Sequence, residues 1–469
     1  MPRNNTSEYH NLDIEVGRRN GDKYPVIARS SLCGEDSGVL QLPYSSHEEF
    51  KRGVNLVYTT LREMRYGHPY AEGEQIVKLF GQELFKSLIS ENVHILYVRC
   101  IERAKSMKKM GLRLRLHITD PELSTVPWEY LYDPDRRDYI SFYRSSPIIR
   151  YVDLQQPTEP SRIKLPLKLL CMISSPTDLM PLNVKNEKER MQKALKPLTE
   201  RSIMTVEWLD NEQTYHDLQS IMRTDTWHIF HFIGHGGWDT QTGEGFLCFS
   251  DVLGLSHKVN ATKLARLLDH QRDTLKLVLL NACEGAKANK EDIFSSIVGG
   301  LMQNGVLSVI AMQQEISDRA AITFSHHFYS SIADGMPIDT SMSEARTAMH
   351  GELRNTLEWG IPVLYMRAPD GVLFKLPLKS TQPSAVSSKG SNPNQDFRTN
   401  ARTRSVKTKN NSIRKSNRNA YETRSYNSAG SIGAVVQKGL KPDKFKRYNK
   451  GIKSFGFFFF SVRAILPSR

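Results

Sequence analysis

The sequence predicts an α/β protein, a three-layer sandwich built on a mostly parallel sheet with helices on both faces. Three observations predict it. Between about residues 165 and 374, short continuous apolar runs alternate with amphipathic stretches at helical spacing. The runs lack the in-out alternation of half-exposed strands, so they read as strands covered on both faces. The stretches between them are long enough for the crossover helices that parallel strands need.

Each element follows in order. PLKLLCMISS (166–175) is a buried strand that stops at Ser174, Ser175 and Pro176, and VKNEKERMQKALKPL (184–198) is an amphipathic helix. IMTVEWL (203–209) and YHDLQSIM (215–222) repeat the strand and helix pair. HIFHFIG (228–234) is a third strand, expected to break at Gly234, His235, Gly236 and Gly237. ATKLARLL (261–268) is helical, and LKLVLLNA (275–282) is a fourth strand that breaks around Ala282, Cys283 and Glu284. IFSSIVGGLMQNG, the strand VLSVIAM, two further helices over 320–335 and 343–357, and the strand IPVLYM complete the pattern. Upstream, residues 49–65 and 74–89 have helical periodicity, MGLRLRLHI alternates as a strand, and PELSTVPWEYLYD reads as a turn and short helix.

This organisation divides the 469 residues into a polar segment over 1–40, a mixed α/β half over 41–155, a core over 156–375 and a tail over 376–469. The net charge of +14 invites a nucleic-acid reading, but its distribution argues otherwise. Residues 376–469 carry 20 Lys and Arg against three acids, whereas the rest has 44 bases and 47 acids and is nearly neutral. The tail is rich in Ser, Asn, Lys and Arg and poor in large apolar residues, so it reads as disordered. Nucleic acid or anionic lipid are its natural weak contacts. No run approaches the roughly 20 apolar residues of a membrane span. The polar N-terminus argues against a secretory signal. Five scattered cysteines without CxxC spacing argue for a reducing, cytoplasmic setting and against structural zinc.

In an open parallel sheet, reactive groups gather at the carboxyl ends of strands. Two strand ends carry candidates: GHGG at 234–237 and ACEG at 282–285. His235 and Cys283 would face one crevice if their strands were neighbours. An imidazole that deprotonates a thiol suffices for acyl transfer, with the amides of Gly236 and Cys283 as oxyanion donors. His228, His231 and His235 also raise a metal reading. In a strand, however, His228 points away from the other two, and no acidic or Cys partner lies at ligand spacing, so neither metal nor cofactor is expected. Cys171 and Cys248 read as packing residues, and GxSxG is absent.

The joint context separates Cys283 from an ordinary buried thiol. His235 lies 48 positions before it, and N-A-C-E-G departs from the caspase signature Q-A-C-x-G only at Asn281 among its fixed positions. The sequence resembles the CHAT domain family, caspase-like peptidases related to separases and caspases. The resemblance rests on RLHITDPELSTVPWEYLYDP, SSPIIRY, HIFHFIGHGG, LVLLNACEGA, VLSVIAMQQEISDRAA and FYSSIADGMPIDTSMSEAR, and covers about residues 90–375. It implies a caspase-hemoglobinase fold and a thiol endopeptidase that acts on protein substrates, with His235 as base and Cys283 as nucleophile. A protein activator is expected, because no sensor domain accompanies the core. In this fold the substrate side chain drops between strand ends that here offer Asp178, Asn281 and the stretch from Gln313 to Asp318, with Asp318 also placed to cap the next helix. Carboxylates there favour Arg, then Lys, before the cleaved bond. Two other classes compete: an inactive scaffold of the same fold, and a nucleic-acid-binding protein driven by the tail.

Overall fold

The computed structural model describes residues 8–44, 46–65, 70–107, 110–152, 154, 159–210, 214–283, 293–353 and 355–375. The basic tail and residues 284–292 lie outside the described residues, and of Cys283 only the backbone is described. The chain opens with strands β1 (Glu8–Val16), β2 (Lys23–Ser30) and β3 (Gly34–Gln41). Helices α1 (His47–Arg65), α2 (Tyr70–Leu88) and α3 (Glu91–Ser106) follow, then β4 (Met110–Ile118), α4 (Pro121–Ser124), β5 (Tyr132–Asp133), β6 (Asp138–Tyr139) and β7 (Ile148–Tyr151). After β8 (Ser161–Arg162), the second half runs β9 (Leu167–Ile173), α5 (Val184–Glu200), β10 (Met204–Asp210), α6 (Tyr215–Thr224), β11 (Ile229–Asp239), β12 (Glu244–Ser250), β13 (Ser256–Asn260) and α7 (Ala261–Leu268). It ends with β14 (Leu277–Cys283), α8 (Ile293–Gln303), β15 (Ser308–Met312), α9 (Asp318–Ala333), α10 (Ile338–Glu352), β16 (Pro362–Met366) and β17 (Phe374–Lys375).

One sheet joins both halves in the order β10-β9-β11-β14-β15-β16-β7-β4-β1-β2-β3, with β12 and β13 added beside β11. The strands from β10 to β15 are parallel, β15 and β16 are antiparallel, and β16, β7, β4 and β1 are parallel again. The α/β class and the three layers follow directly from the period-2 geometry of these runs. In β9, Leu169, Cys171 and Ile173 pack on the face covered by α5 and α9, with Met191, Leu195, Phe324 and Phe328. Leu170 and Met172 pack on the opposite face under α6, α7 and α8, with Met222, Leu264, Ile297 and Leu301. A run of apolar residues is what a strand with two buried faces requires. Each large apolar side chain so buried contributes about 1.5–3 kcal/mol.

Two features differ from the sequence reading. The polar segment over 1–40, to which no element was assigned, supplies β1–β3; Leu12, Ile14 and Val16 are buried at alternate positions between polar neighbours. β11 does not break at Gly234–Gly237 but continues to Asp239, because β12 takes up its edge where β9 ends. Among the described residues no helix is long and apolar enough to cross a membrane.

Candidate active site

β11 and β14 are parallel neighbours, and their register pairs Ile233 with Asn281 and His235 with Cys283. Adjacent strands lie about 4.8 Å apart, so the backbone of position 283 stands directly beside that of His235. Both sit at the carboxyl end of the sheet. Pairing of β14 with β15 stops at Leu280 and Ala311, which opens the sheet just beyond Leu280.

Backbone alternation decides which way the amides of β11 face. Ser174 N–H donates to Ile233 O at 2.9 Å on the β9 side, and farther along the same edge His235 and Gly237 pair with Cys248 and Phe246 of β12. Odd-numbered residues thus turn their amides toward β9 and β12. The amide of Gly236 therefore faces the β14 side, where that strand ends at Cys283. A side chain at Gly237 would place its Cβ 2.7 Å from the Phe246 ring, so glycine there also serves packing.

His235 is half-buried, and its Nε2 lies 2.8 Å from the carbonyl oxygen of Met180. A carbonyl only accepts, so Nε2 carries the proton and Nδ1 of the neutral ring keeps its lone pair. Met180 belongs to the loop between β9 and α5, which is anchored to the β12–β13 hairpin. Thr177 N–H donates to Gly254 O at 2.9 Å, and Asp178 accepts from Ser256 N–H at 2.8 Å and from Ser256 Oγ–H at 2.6 Å. The Ser256 hydroxyl bond, with the backbone bonds, holds the Asp178 carboxyl below its usual range.

The other expected site residues fall in distinct places. Asn281 is half-buried in a narrow crevice between α5 and α9, lined also by Glu187, Arg190, His231, Ile233 and Met312. Gln313 follows Met312 of the crevice lining; its amide donates to Ile361 O at 3.2 Å, and its Oε1 lies 3.3 Å from Tyr58 Oη, which donates to Thr125 O at 2.6 Å. Asp318 is not the cap of its helix: Ser317 caps α9 by accepting from Ala320 N–H, and Asp318 is the first helical residue, ion-paired to Arg190. Asp178, in contrast, lies on the hairpin side of β11 and is engaged there by Ser256. His228 Nδ1 accepts from Lys168 N–H at 2.9 Å and His231 Nδ1 meets Tyr329 Oη at 3.0 Å, so the three histidines of β11 and its approach have three separate partners. Cys171 and Cys248 are buried; burial raises both thiols, Cys248 to about 11.

Several groups were not foreseen. A backbone carbonyl such as that of Met180 has no sequence signature. Glu187 and Arg190 stand three apart on a charged helix and read as a solvated face. Glu358 accepts from Ser317 N–H at 2.5 Å and from Ser317 Oγ–H at 2.7 Å, and Arg65 of α1 pairs with Glu315 at 3.0 Å, so the loop after β15 is clamped from two sides.

Comparison with the curated proteins finds no match. Among solved structures, the chain is similar to separase in the Saccharomyces cerevisiae separase–securin complex, at 10% identity and a TM-score of 0.45, over 77% of this chain and 30% of that chain. It is similar to the Arg-specific cysteine proteinase gingipain R at 10% identity and a TM-score of 0.38, over 63% of this chain and 74% of that one. The Drosophila initiator caspase Dronc is matched at 13% identity and a TM-score of 0.24, over 40% of this chain and 79% of that one. This chain therefore spans less than a third of the length of the separase chain. The family model of the CHAT domain matches residues 78–385, more than half of the sequence and all of the strands from β9 to β17. The chain belongs to the CHAT domain family.

Proposed function

We propose that this chain is a caspase-like cysteine endopeptidase in which His235 is the base and Cys283 the nucleophile. The observation that carries the reading is the register of β11 and β14, which makes the two residues partners at the point where the parallel pairing of these strands ends. Nδ1 of His235 accepts the thiol proton, and the thiolate attacks the peptide carbonyl carbon. The carbonyl electron pair moves onto oxygen, where the amides of Gly236 and Cys283 receive the charge. Collapse of this intermediate expels the amine, which takes the proton from the imidazolium, and leaves a thioester. Water, deprotonated by His235, then releases the carboxylate and restores the thiol. The Met180 carbonyl fixes the ring and stabilises the imidazolium through Nε2–H, so a backbone acceptor here stands where a third side chain could. The reaction draws on two side chains, three backbone groups and water, and calls for no cofactor.

Asn281 lines the crevice that would take the side chain before the cleaved bond, Asp318 is tied to it through the ion pair with Arg190, Gln313 follows the lining residue Met312, and Asp178 borders the opposite flank of His235. Carboxylates at those borders support Arg or Lys as the preferred residue. Peptide-library cleavage by the wild type against Cys283→Ala and His235→Ala tests the reading. Each variant is expected to lose at least about a thousandfold in kcat/KM, and the double variant little more, because the two act as a unit. Retention of most activity by either single variant refutes the dyad.

A further inference from the structure

We infer that Glu187 and Asp318 are the pair of carboxylates that reads a substrate guanidinium, and that Arg190 of this same chain now occupies that seat as a resident competitor. The inference rests on the peptidase reading and deepens it. Arg190 Nη1 donates to Glu187 Oε1 at 2.6 Å, and its Nη2 donates to Asp318 Oδ2. Two carboxylates therefore hold one guanidinium, and the group of three keeps a net negative charge. Glu187 and Arg190 line the crevice that contains Asn281, two positions before Cys283 on the same strand.

A second observation points to an occupant. His231 is 3% exposed and lines the same crevice, and its Nε2 has no hydrogen-bond partner among the described residues. A buried ring nitrogen left so costs free energy unless a guest or water engages it. Burial also raises the Glu187 carboxyl above its usual value, so the seat gains from a nearby cation. The crevice is almost filled: its free space is ≈ 10 Å³, what a single water needs. An incoming arginine has room only if Arg190 leaves. Arg190 is still 19% exposed on its side chain, near the start of α5, and rotation about its own bonds would carry it into solvent. An arginine tethered in the same chain competes at an effective concentration in the millimolar range or above, which weakens guests without excluding them.

The alternative is that Arg190 merely straps α5 to α9. Calorimetric titration with agmatine, a free guanidinium, separates the two in the full chain carrying Cys283→Ala, where cleavage plays no part. Adding Arg190→Met, which keeps the aliphatic stem, is expected to tighten agmatine binding about tenfold. Adding Glu187→Gln alone to the Cys283→Ala chain is expected to weaken it about tenfold. Unchanged or weaker binding in Arg190→Met overturns the proposal, as does tighter binding of succinate than of agmatine. If Arg190→Met fails to fold, the Glu187→Gln arm decides: unchanged agmatine affinity overturns the seat. In the active chain, Arg190→Met should lower KM for a peptide with Arg before the bond more than for its citrulline twin, which gains the room but not the charge. If the wild type cuts neither peptide, the peptidase reading fails while the agmatine arm still judges the seat.

Discussion

Acidification perturbs one buried group for which the magnitude can be worked through. His231 lies in β11 under α9, 3% exposed, with Tyr329 Oη at 3.0 Å from its Nδ1. Burial lowers its pKa from 6.5 to about 3. The folded chain thus keeps the ring neutral at any pH above about 3, whereas the unfolded chain takes up a proton as pH falls through 6.5. The stability this neutral ring permits is complete above about pH 6.5 and is lost on acidification at about 1.36 kcal/mol per pH unit. At pH 5 the loss from this residue is about 2 kcal/mol. Urea denaturation of the wild type and of His231→Leu at pH 7 and pH 5 measures it. The variant carries a constant cost for the Tyr329 hydroxyl left behind, and that cost cancels in the pH difference. Wild type should therefore lose about 2 kcal/mol more than the variant between the two pH values. An equal loss in both would mean that His231 titrates normally in the folded chain, and the argument from burial would be wrong. His228, lowered to about 4 chiefly by burial, adds a loss of the same sign to both chains, which cancels in their difference.

Two further predictions concern the supports of the site. Arg150 donates to both oxygens of Glu129, at 3.2 and 2.8 Å, with both side chains buried, so Glu129→Gln should cost about 3–5 kcal/mol in a denaturant titration. The pair Glu129→Leu with Arg150→Met should recover most of it, and a loss equal to the sum of the single changes refutes the ion-pair account. Glu358 grips Ser317 but does not line the crevice, so Glu358→Gln should raise KM more than it lowers kcat; equal loss in both would place Glu358 in the chemistry instead.

What could be read from the sequence follows a physical division. Strands buried on both faces announce themselves as apolar runs, so β9, β11, β14, β15 and β16 were legible, and with them the two strand ends that carry His235 and Cys283. Register between strands is not written in either strand alone; that β11 and β14 are neighbours stood in the sequence only as a condition, and their adjacency and pairing come from the fold. β1 was hidden because EYHNLDIEV buries only every second residue and looks polar in sum. The continuation of β11 was hidden because glycine reads as a stop, whereas GHGG here stays extended against β12. Asp178 and Asp318 were visible as carboxylates, yet a sequence does not show that Ser256 and Arg190 already hold them.

The motifs behind the family resemblance are of two physical kinds. HIFHFIGHGG and LVLLNACEGA form the neighbouring strands on which His235 and Cys283 are register partners. The others build the joint between the two halves of the sheet, where β16 pairs with β7 through Tyr365 and Arg150. Arg150, from the IIRY stretch, reaches Glu129 of VPWEY and the carbonyls of Ser124 and Val126, and its Nη1 lies 3.4 Å from the Tyr365 hydroxyl across the joint. Arg346, from the SEAR stretch, is 1% exposed and donates to Pro362 O, the first residue of β16. A buried arginine is costly unless its donors are used, and Arg150 directs its own to Glu129, Ser124, Val126 and Tyr365 at this one point. That point matters for the site. The residue just before β16, Ile361, accepts from the amide of Gln313, which follows Met312 of the crevice lining, so the joint braces the chain next to the crevice. Under the proposed function, the strands of His235 and Cys283 alone would form a reactive edge, and the joint would hold the chain beside that edge in place for a substrate.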